Sequence, residues 1–188
     1  MSPELIPEPW KSFLKELDAT LSDEFRFHCM GGFVVTFLYG YSRTTSDIDV
    51  LGMVTTDKRF SALVKLGGKG SALHQNHGVY LDCVAITQVP DSYDERLTEM
   101  FPGTLKYLRL FAFDPYDLAL SKLERNQQRD RDDVKYLAQA VPLDLSVLQE
   151  RYRKEMRPYL GNPDREDKTL KLWIEAIEEE RTSKSGHS

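Results

Sequence analysis

The 188-residue chain reads as an α/β (α+β) protein: a mixed sheet flanked by helices, followed by an α-helical C-terminal part. Three observations predict this. Short apolar runs rich in Val, Ile, Phe and Cys alternate with helix-periodic segments up to Phe113. From Asp114 onward only helix-periodic segments separated by turn signals remain. Forty per cent apolar and 11% aromatic residues exclude wholesale disorder, and a chain of this length buries roughly 70% of its unfolded surface, enough for a core without staples.

Taken in order, Trp10, Phe13, Leu14 and Leu17 recur at i, i+3, i+4 and i+7 and predict an amphipathic helix begun near Pro9. Phe25 to Cys29 is a first strand. Gly31-Gly32 opens a helix through about Tyr39, Asp47 to Met53 is a second strand, and Lys58 to Leu66 is helical. The Gly67-Gly-Lys-Gly-Ser71 turn leads to a buried strand within Val79–Ile86. Asp91 to Met100 is expected to be helical and Leu105 to Phe111 a strand. Asp114 is an N-cap, with Pro115 at N1 and Asp117 at N3 in the manner of a capping box. Segments 115–125, 130–140, 144–159 and 164–181 are expected to be helices, broken at Asn126, Pro142 and Gly161-Asn-Pro163. Leu170, Trp173, Ile174 and Ile177 mark the buried stripe of the last one. The predicted organisation is a core over 1–113, a helical part over 114–182 packed on it, and a disordered tail over 183–188.

A net charge of −5 argues against a protein held on nucleic acid chiefly by phosphate neutralisation. Arg125, Arg129 and Arg131, and again Arg151, Arg153, Lys154 and Arg157, are two candidate basic segments; solvated helix faces of mixed charge are the plainer reading. No apolar stretch approaches the ~18 residues of a membrane span. Met1, Ser2, Pro3 and Glu4 lack a basic region followed by an apolar one, so a cytoplasmic protein with no membrane partner is expected. Cys29 and Cys83 fall in apolar strand candidates, where packing as reduced, small hydrophobes is expected.

The stretch from His28 to Leu51 carries the chemistry. Residues i and i+2 of a strand share a face, so Asp47 and Asp49 project together while Ile48 and Val50 turn toward a core. Two carboxylates aimed at one point repel, and a hard divalent cation such as Mg²⁺ removes that repulsion. Asp82 interrupts an otherwise apolar strand. Burying an unpaired carboxylate costs several kcal/mol, so Asp82 belongs at a strand end or in a site. Plainer readings stay open: an exposed strand end for the Asp pair, an ordinary strand-to-helix turn for the glycines. Gly67–Ser71 is a flexible turn rather than a phosphate loop, because a Walker pattern needs Ser or Thr directly after Gly-Lys and Gly70 intervenes. His74 and His77 have a metal-compatible spacing if helical but no third nitrogen or thiolate ligand nearby.

Gly31-Gly32, then Arg43-x-Thr45-x-Asp47-Ile-Asp49, then Asp82, Lys122 and Arg129-Asp130-x-x-Asp133 together resemble the nucleotidyltransferase superfamily that includes DNA polymerase beta. Within it the likeness is to the minimal branch of AbiEii-type toxins from abortive-infection and type IV toxin–antitoxin systems, over roughly residues 25–140. The resemblance implies a nucleotidyltransferase-like fold and metal-dependent transfer of a nucleotidyl group from an NTP to a hydroxyl of tRNA, a protein or a small molecule. It also implies the role of a toxin in a toxin–antitoxin or phage-defence system, with a cognate antitoxin as partner. The implied cofactor is Mg²⁺ (or Mn²⁺), held by Asp47, Asp49 and Asp82. These three with Lys122 are the implied catalytic set; Gly31, Gly32, Arg43, Thr45, Lys122 and Asp133 are the implied nucleotide-binding set. A glycine pair lets backbone approach a phosphate closely, Arg43 and Lys122 supply positive charge, and Asp82 accepts the proton of the attacking hydroxyl. Asp133 orients Lys122 or the base, and Asp130 is read as an N-cap. On this reading Lys122, sharing a helix face with Leu118 and Ala119, reaches over the cleft, and its removal leaves stability nearly unchanged. The alternative is a non-catalytic relative that keeps the fold as a nucleotide-binding or protein-interaction module.

Overall fold

The structure is a computed structural model that describes residues 6–52, 57–85 and 87–185. The chain divides into two compact units, Met1–Ile86 with Arg96–Phe113, and Thr87–Glu95 with Asp114–Ser188.

Among the described residues the first unit is a five-stranded mixed sheet with four α-helices. Its strands are β1 (Phe25–Met30), β2 (Asp47–Leu51), β3 (Tyr80–Val84), β4 (Thr98–Met100) and β5 (Leu108–Ala112), in the order β3-β2-β1-β5-β4. β1 runs antiparallel to β2 and parallel to β5, β2 runs parallel to β3, and β4 runs antiparallel to β5. Alternation sorts the side chains into two faces. Phe25, Phe27, Cys29, Ile48, Val50, Leu81, Leu108, Leu110 and Ala112 are buried, whereas Asp47, Asp49, Tyr80, Arg109 and Phe111 between them are only half-buried and Arg26 and Asp82 are exposed.

The helices are α1 (Trp10–Asp18), α2 (Gly31–Phe37), α3 (Lys58–Gly67) and α4 (Ala72–His77). The expected stripe of α1 is buried: Trp10 meets Phe33 and Phe37 of α2, and Phe13 meets His77 of α4. Phe27 packs edge-on against Phe60 of α3. Gly67 closes α3 where any side chain would press on Phe13 and Leu17. Asp18, at the end of α1, accepts backbone N–H bonds from Lys106, Tyr107 and Leu108 at 2.9, 2.7 and 2.7 Å, which fixes the entry to β5. Burial alone would raise its carboxyl, but the three donors and the nearby Arg109 charge outweigh it and hold the group below its ordinary value.

Three segments depart from the expectation. The helix expected over 115–125 ends at Leu120, so Lys122 lies in the turn beyond it rather than on a helix face with Leu118 and Ala119. Asp91–Met100 is not a helix: it forms one 3-10 turn over Tyr93–Arg96 and then β4. Its backbone finds partners elsewhere, with the Asp91 N–H on the Glu155 carbonyl and Met100 paired to Leu110. Phe101 and Gly103, both at positive φ (50° and 75°), turn the chain from β4 toward β5. The segment before β3 contains α4, which the sequence reading passed over, capped by the Ser71 hydroxyl on the His74 N–H at 3.1 Å. Met53 and Ile86, expected ends of two strands, lie outside the described residues.

The second unit is helical: α5 (Pro115–Leu120), α6 (Gln128–Ala140), α7 (Leu145–Arg151) and α8 (Asp164–Ser185), with α7 continuing through a wide π turn at Tyr152–Met156 and a 3-10 turn at Arg157–Tyr159. Asp114 caps α5 by accepting the Asp117 N–H at 2.8 Å, with Pro115 in the first turn. Asp117 turns to Arg151 (3.0 Å), which also binds Asp114 (2.6 Å) and stacks on Tyr116. Asp130 is not an N-cap: Gln127 holds that position, and Asp130 is the N3 member of its capping box. α8 extends to Ser185, beyond the expected end of order at 182; residues 186–188 lie outside the described residues. No helix among the described residues is long and apolar enough to cross a membrane.

Candidate active site

The strand pairing gathers what the sequence spreads over fifty residues. Asp49 stands opposite Asp82 across the parallel β2–β3 pair and opposite Met30 across the antiparallel β1–β2 pair. Asp47, Asp49 and Asp82 each offer a carboxylate oxygen, and the three oxygens lie within 4.8 Å of one another. Asp47 and Asp49 are half-buried and Asp82 is exposed, so the cluster opens to solvent.

Because Gly31 directly follows Met30, its backbone lies beside Asp49. A Cβ at Gly31 would overlap Asp49 Oδ2, and the residue sits at φ +71°, which L side chains rarely adopt. A Cβ at Gly32 would overlap the Arg43 guanidinium. Gly31 is therefore required by its backbone conformation and by the carboxylate that rests on it, while Gly32 leaves room for the Arg43 guanidinium. Thr45 donates to Asp47 Oδ1 at 3.2 Å. The structure thus brings together Gly31, Gly32, Arg43, Thr45, Asp47, Asp49 and Asp82.

Tyr80 was missed in the sequence. Its hydroxyl donates to Asp47 Oδ2 at 3.4 Å. The signal was present, since Tyr80 and Asp82 are two apart on β3 and so share the face of the acid pair. Burial, then the charges of Asp47 and Asp82, hold the Tyr80 phenol above its ordinary value. Burial and the charge of Asp82 push the Cys83 thiol up, and burial with Asp49 does the same to Cys29. The negative charge of the three acids is thus felt at Tyr80, Cys83 and Cys29. Both cysteines are reduced, Cys29 buried and Cys83 half-buried. His74 accepts the Gly70 N–H, and His77 meets Glu16 at 2.7 Å.

Lys122 and Asp133 lie in the second unit, paired with each other. Lys122 is 4% exposed and Asp130 and Asp133 are fully buried. The Lys122 ammonium donates to Asp133 Oδ2 at 2.8 Å and lies 3.7 Å from Asp130. Arg125 grips both oxygens of Asp130 at 2.9 and 2.5 Å, and the Gln127 N–H adds a third bond at 2.9 Å. Burial raises the Asp130 carboxyl, but these donors and the Lys122 charge together hold it below its ordinary value. Two cations and two carboxylates balance inside this cluster. Within the candidate basic segments Arg151 is paired as above, Lys154 with Glu150 and Arg157 in a fork on Asp167, while Arg131 donates to the Asn126 side chain and carbonyl.

A mixed sheet carrying three clustered carboxylates on adjacent strands, with a glycine pair opening a helix against one of them, defines a protein of the nucleotidyltransferase-like class. The profile of the family described as "Nucleotidyltransferase of unknown function (DUF6036)" matches residues 11–182, and the chain belongs to that family. Comparison with curated proteins finds no match, and comparison with solved structures finds none.

Proposed function

We propose that the protein is a Mg²⁺- or Mn²⁺-dependent nucleotidyltransferase that moves a nucleotidyl group from an NTP to a hydroxyl acceptor. The observation that carries this is the Asp47–Asp49–Asp82 cluster with the Gly31–Asp49 contact. The donor set fits the cation: three hard carboxylate oxygens within 4.8 Å need only small rotations to reach the oxygen separations of about 3–4 Å that bonds near 2.1 Å require. A cation held there would supply charge neutralisation and Lewis-acid stabilisation as the acceptor oxygen bonds to the α-phosphorus and pyrophosphate leaves. Asp47 and Asp49 hold it from β2. Gly31 and Gly32 let the phosphates approach the backbone, and Arg43, resting on Gly32, offers them a guanidinium fork. Asp82, the most open of the three, accepts the acceptor hydroxyl's proton on a carboxylate oxygen.

The paired state of Arg125, Arg151, Lys154 and Arg157 favours an acceptor bound without a long phosphate track, a protein side chain or a small molecule before tRNA. The buried ion pair favours a scaffolding task for Lys122 and Asp133 over contact with the nucleotide. A toxin's role, a cognate antitoxin and a cytoplasmic setting are supported by the motif resemblance to AbiEii-type proteins.

Incubation with each α-labelled NTP, Mg²⁺ and a cell lysate tests the reading. Wild-type protein should label an acceptor, and Asp82→Asn, nearly isosteric, should keep its melting temperature while turnover falls by ~10²–10⁴. Protein that binds NTP and Mg²⁺ but labels nothing would support the non-catalytic module instead.

A further inference from the structure

Resting on that metal reading, we propose that Tyr80 is a positioning residue that sets the orientation of the Asp47 carboxylate, and that the Gly67–Ser71 turn with His74 serves to seat its ring. The two oxygens of Asp47 are engaged from opposite neighbours, Oδ1 by the Thr45 hydroxyl at 3.2 Å and Oδ2 by the Tyr80 hydroxyl at 3.4 Å. A carboxylate has about four lone-pair sites, so one hydroxyl on each oxygen restrains rotation and leaves a lone pair on each for a cation. Tyr80 can do this because it is the register partner of Asp47 in the parallel β2–β3 pair.

The ring is itself held in place. His74 meets it edge-on, with centroids 4.9 Å apart and planes at 69°, and the Lys69 ammonium lies 5.6 Å from its centre. His74 is fixed in turn by the glycine-rich segment: the Gly70 N–H donates to His74 Nδ1 at 2.9 Å, the Ser71 hydroxyl accepts the His74 N–H at 3.1 Å, and the Gln75 side chain donates to the Gly70 carbonyl at 3.3 Å. Gly70 adopts φ +85°, a conformation suited to glycine. A segment whose composition suggests a phosphate loop thus bends an imidazole and an ammonium onto one phenol ring. Groups that orient a metal ligand are typically worth 10–100-fold in metal affinity.

Tyr80→Phe keeps the ring and removes the hydroxyl. Mn²⁺ binding without nucleotide, read from the electron paramagnetic resonance signal of free Mn²⁺, should show the dissociation constant of this variant raised about tenfold or more, with the melting temperature of the metal-free protein unchanged. His74→Ala should raise the constant by a smaller factor. Wild-type affinity in Tyr80→Phe, where wild type binds Mn²⁺ and Asp49→Asn does not, overturns the assignment of Tyr80 alone. Wild-type protein that binds no Mn²⁺ removes the metal reading and this inference together.

Discussion

Replacing Lys122 by Met removes the buried cation of a cluster whose two carboxylates are closed to water. Asp133, fully buried, would lose its 2.8 Å ammonium partner, and Asp130 would lose a cation 3.7 Å away while keeping Arg125 and the Gln127 N–H. Met fills a similar volume, so packing loss is small and the electrostatic effect dominates. Breaking a buried pair by removing one partner costs about 3–5 kcal/mol, because the remaining carboxylate loses its ammonium where water cannot replace it. For a chain of this size each kcal/mol lowers the melting temperature by about 2–4 °C, so the variant should melt about 6–20 °C below wild type. Urea unfolding of the metal-free, nucleotide-free protein measures this apart from any ligand effect. The double variant Lys122→Met/Asp133→Leu should recover most of the loss, since an apolar pair of similar volume is often as stable as a buried ion pair. A single variant within about 0.5 kcal/mol of wild type, the range of ordinary surface changes, would refute the reasoning and return Lys122 to the open position the sequence suggested.

Gly31→Ala places a Cβ on Asp49 Oδ2 at a residue with φ +71°; the left-handed backbone alone costs about 1–2 kcal/mol, and stabilisation by Mn²⁺ with NTP should vanish in differential scanning fluorimetry, whereas a retained shift would mean that Asp49 is free to move aside. Asp18→Asn should cost about 1.5–3 kcal/mol at pH 7, the usual worth of hydrogen bonds to a charged group. The folded Asp18 carboxyl is held below its unfolded value, so its contribution is complete above about pH 3.9 and disappears as pH falls through the lower folded value. Wild type and variant should therefore converge in acid, and unfolding curves that stay parallel from pH 7 to pH 3 would contradict the role assigned to Asp18.

What could be read from the sequence is what is local. The α1 stripe of Trp10, Phe13, Leu14 and Leu17, the Asp114–Pro115 helix start, and the shared face of Asp47 and Asp49 each follow from a period or a cap confined to one short stretch of chain. Asp82 stood out as a lone acid in an apolar strand expected to be buried; in the structure only Leu81 of β3 is buried and Asp82 is exposed, so it marks a site without bearing a burial cost. Tertiary structure decided what depends on distant partners. The order β3-β2-β1-β5-β4 brings Gly31, Asp49 and Asp82 side by side, and no local pattern specifies it. Asp91–Met100 has helical composition, yet pairing with β5 and bonding to Glu155 satisfy its backbone better than a short isolated helix can. Lys122 shows the same division: its sequence neighbours placed it on a helix over 115–125, but α5 ends at Leu120 and Lys122 lies in the turn beyond it. Its burial is set by the carboxylates that meet it, and Asp130 and Asp133 reach it only once α6 has packed against α5.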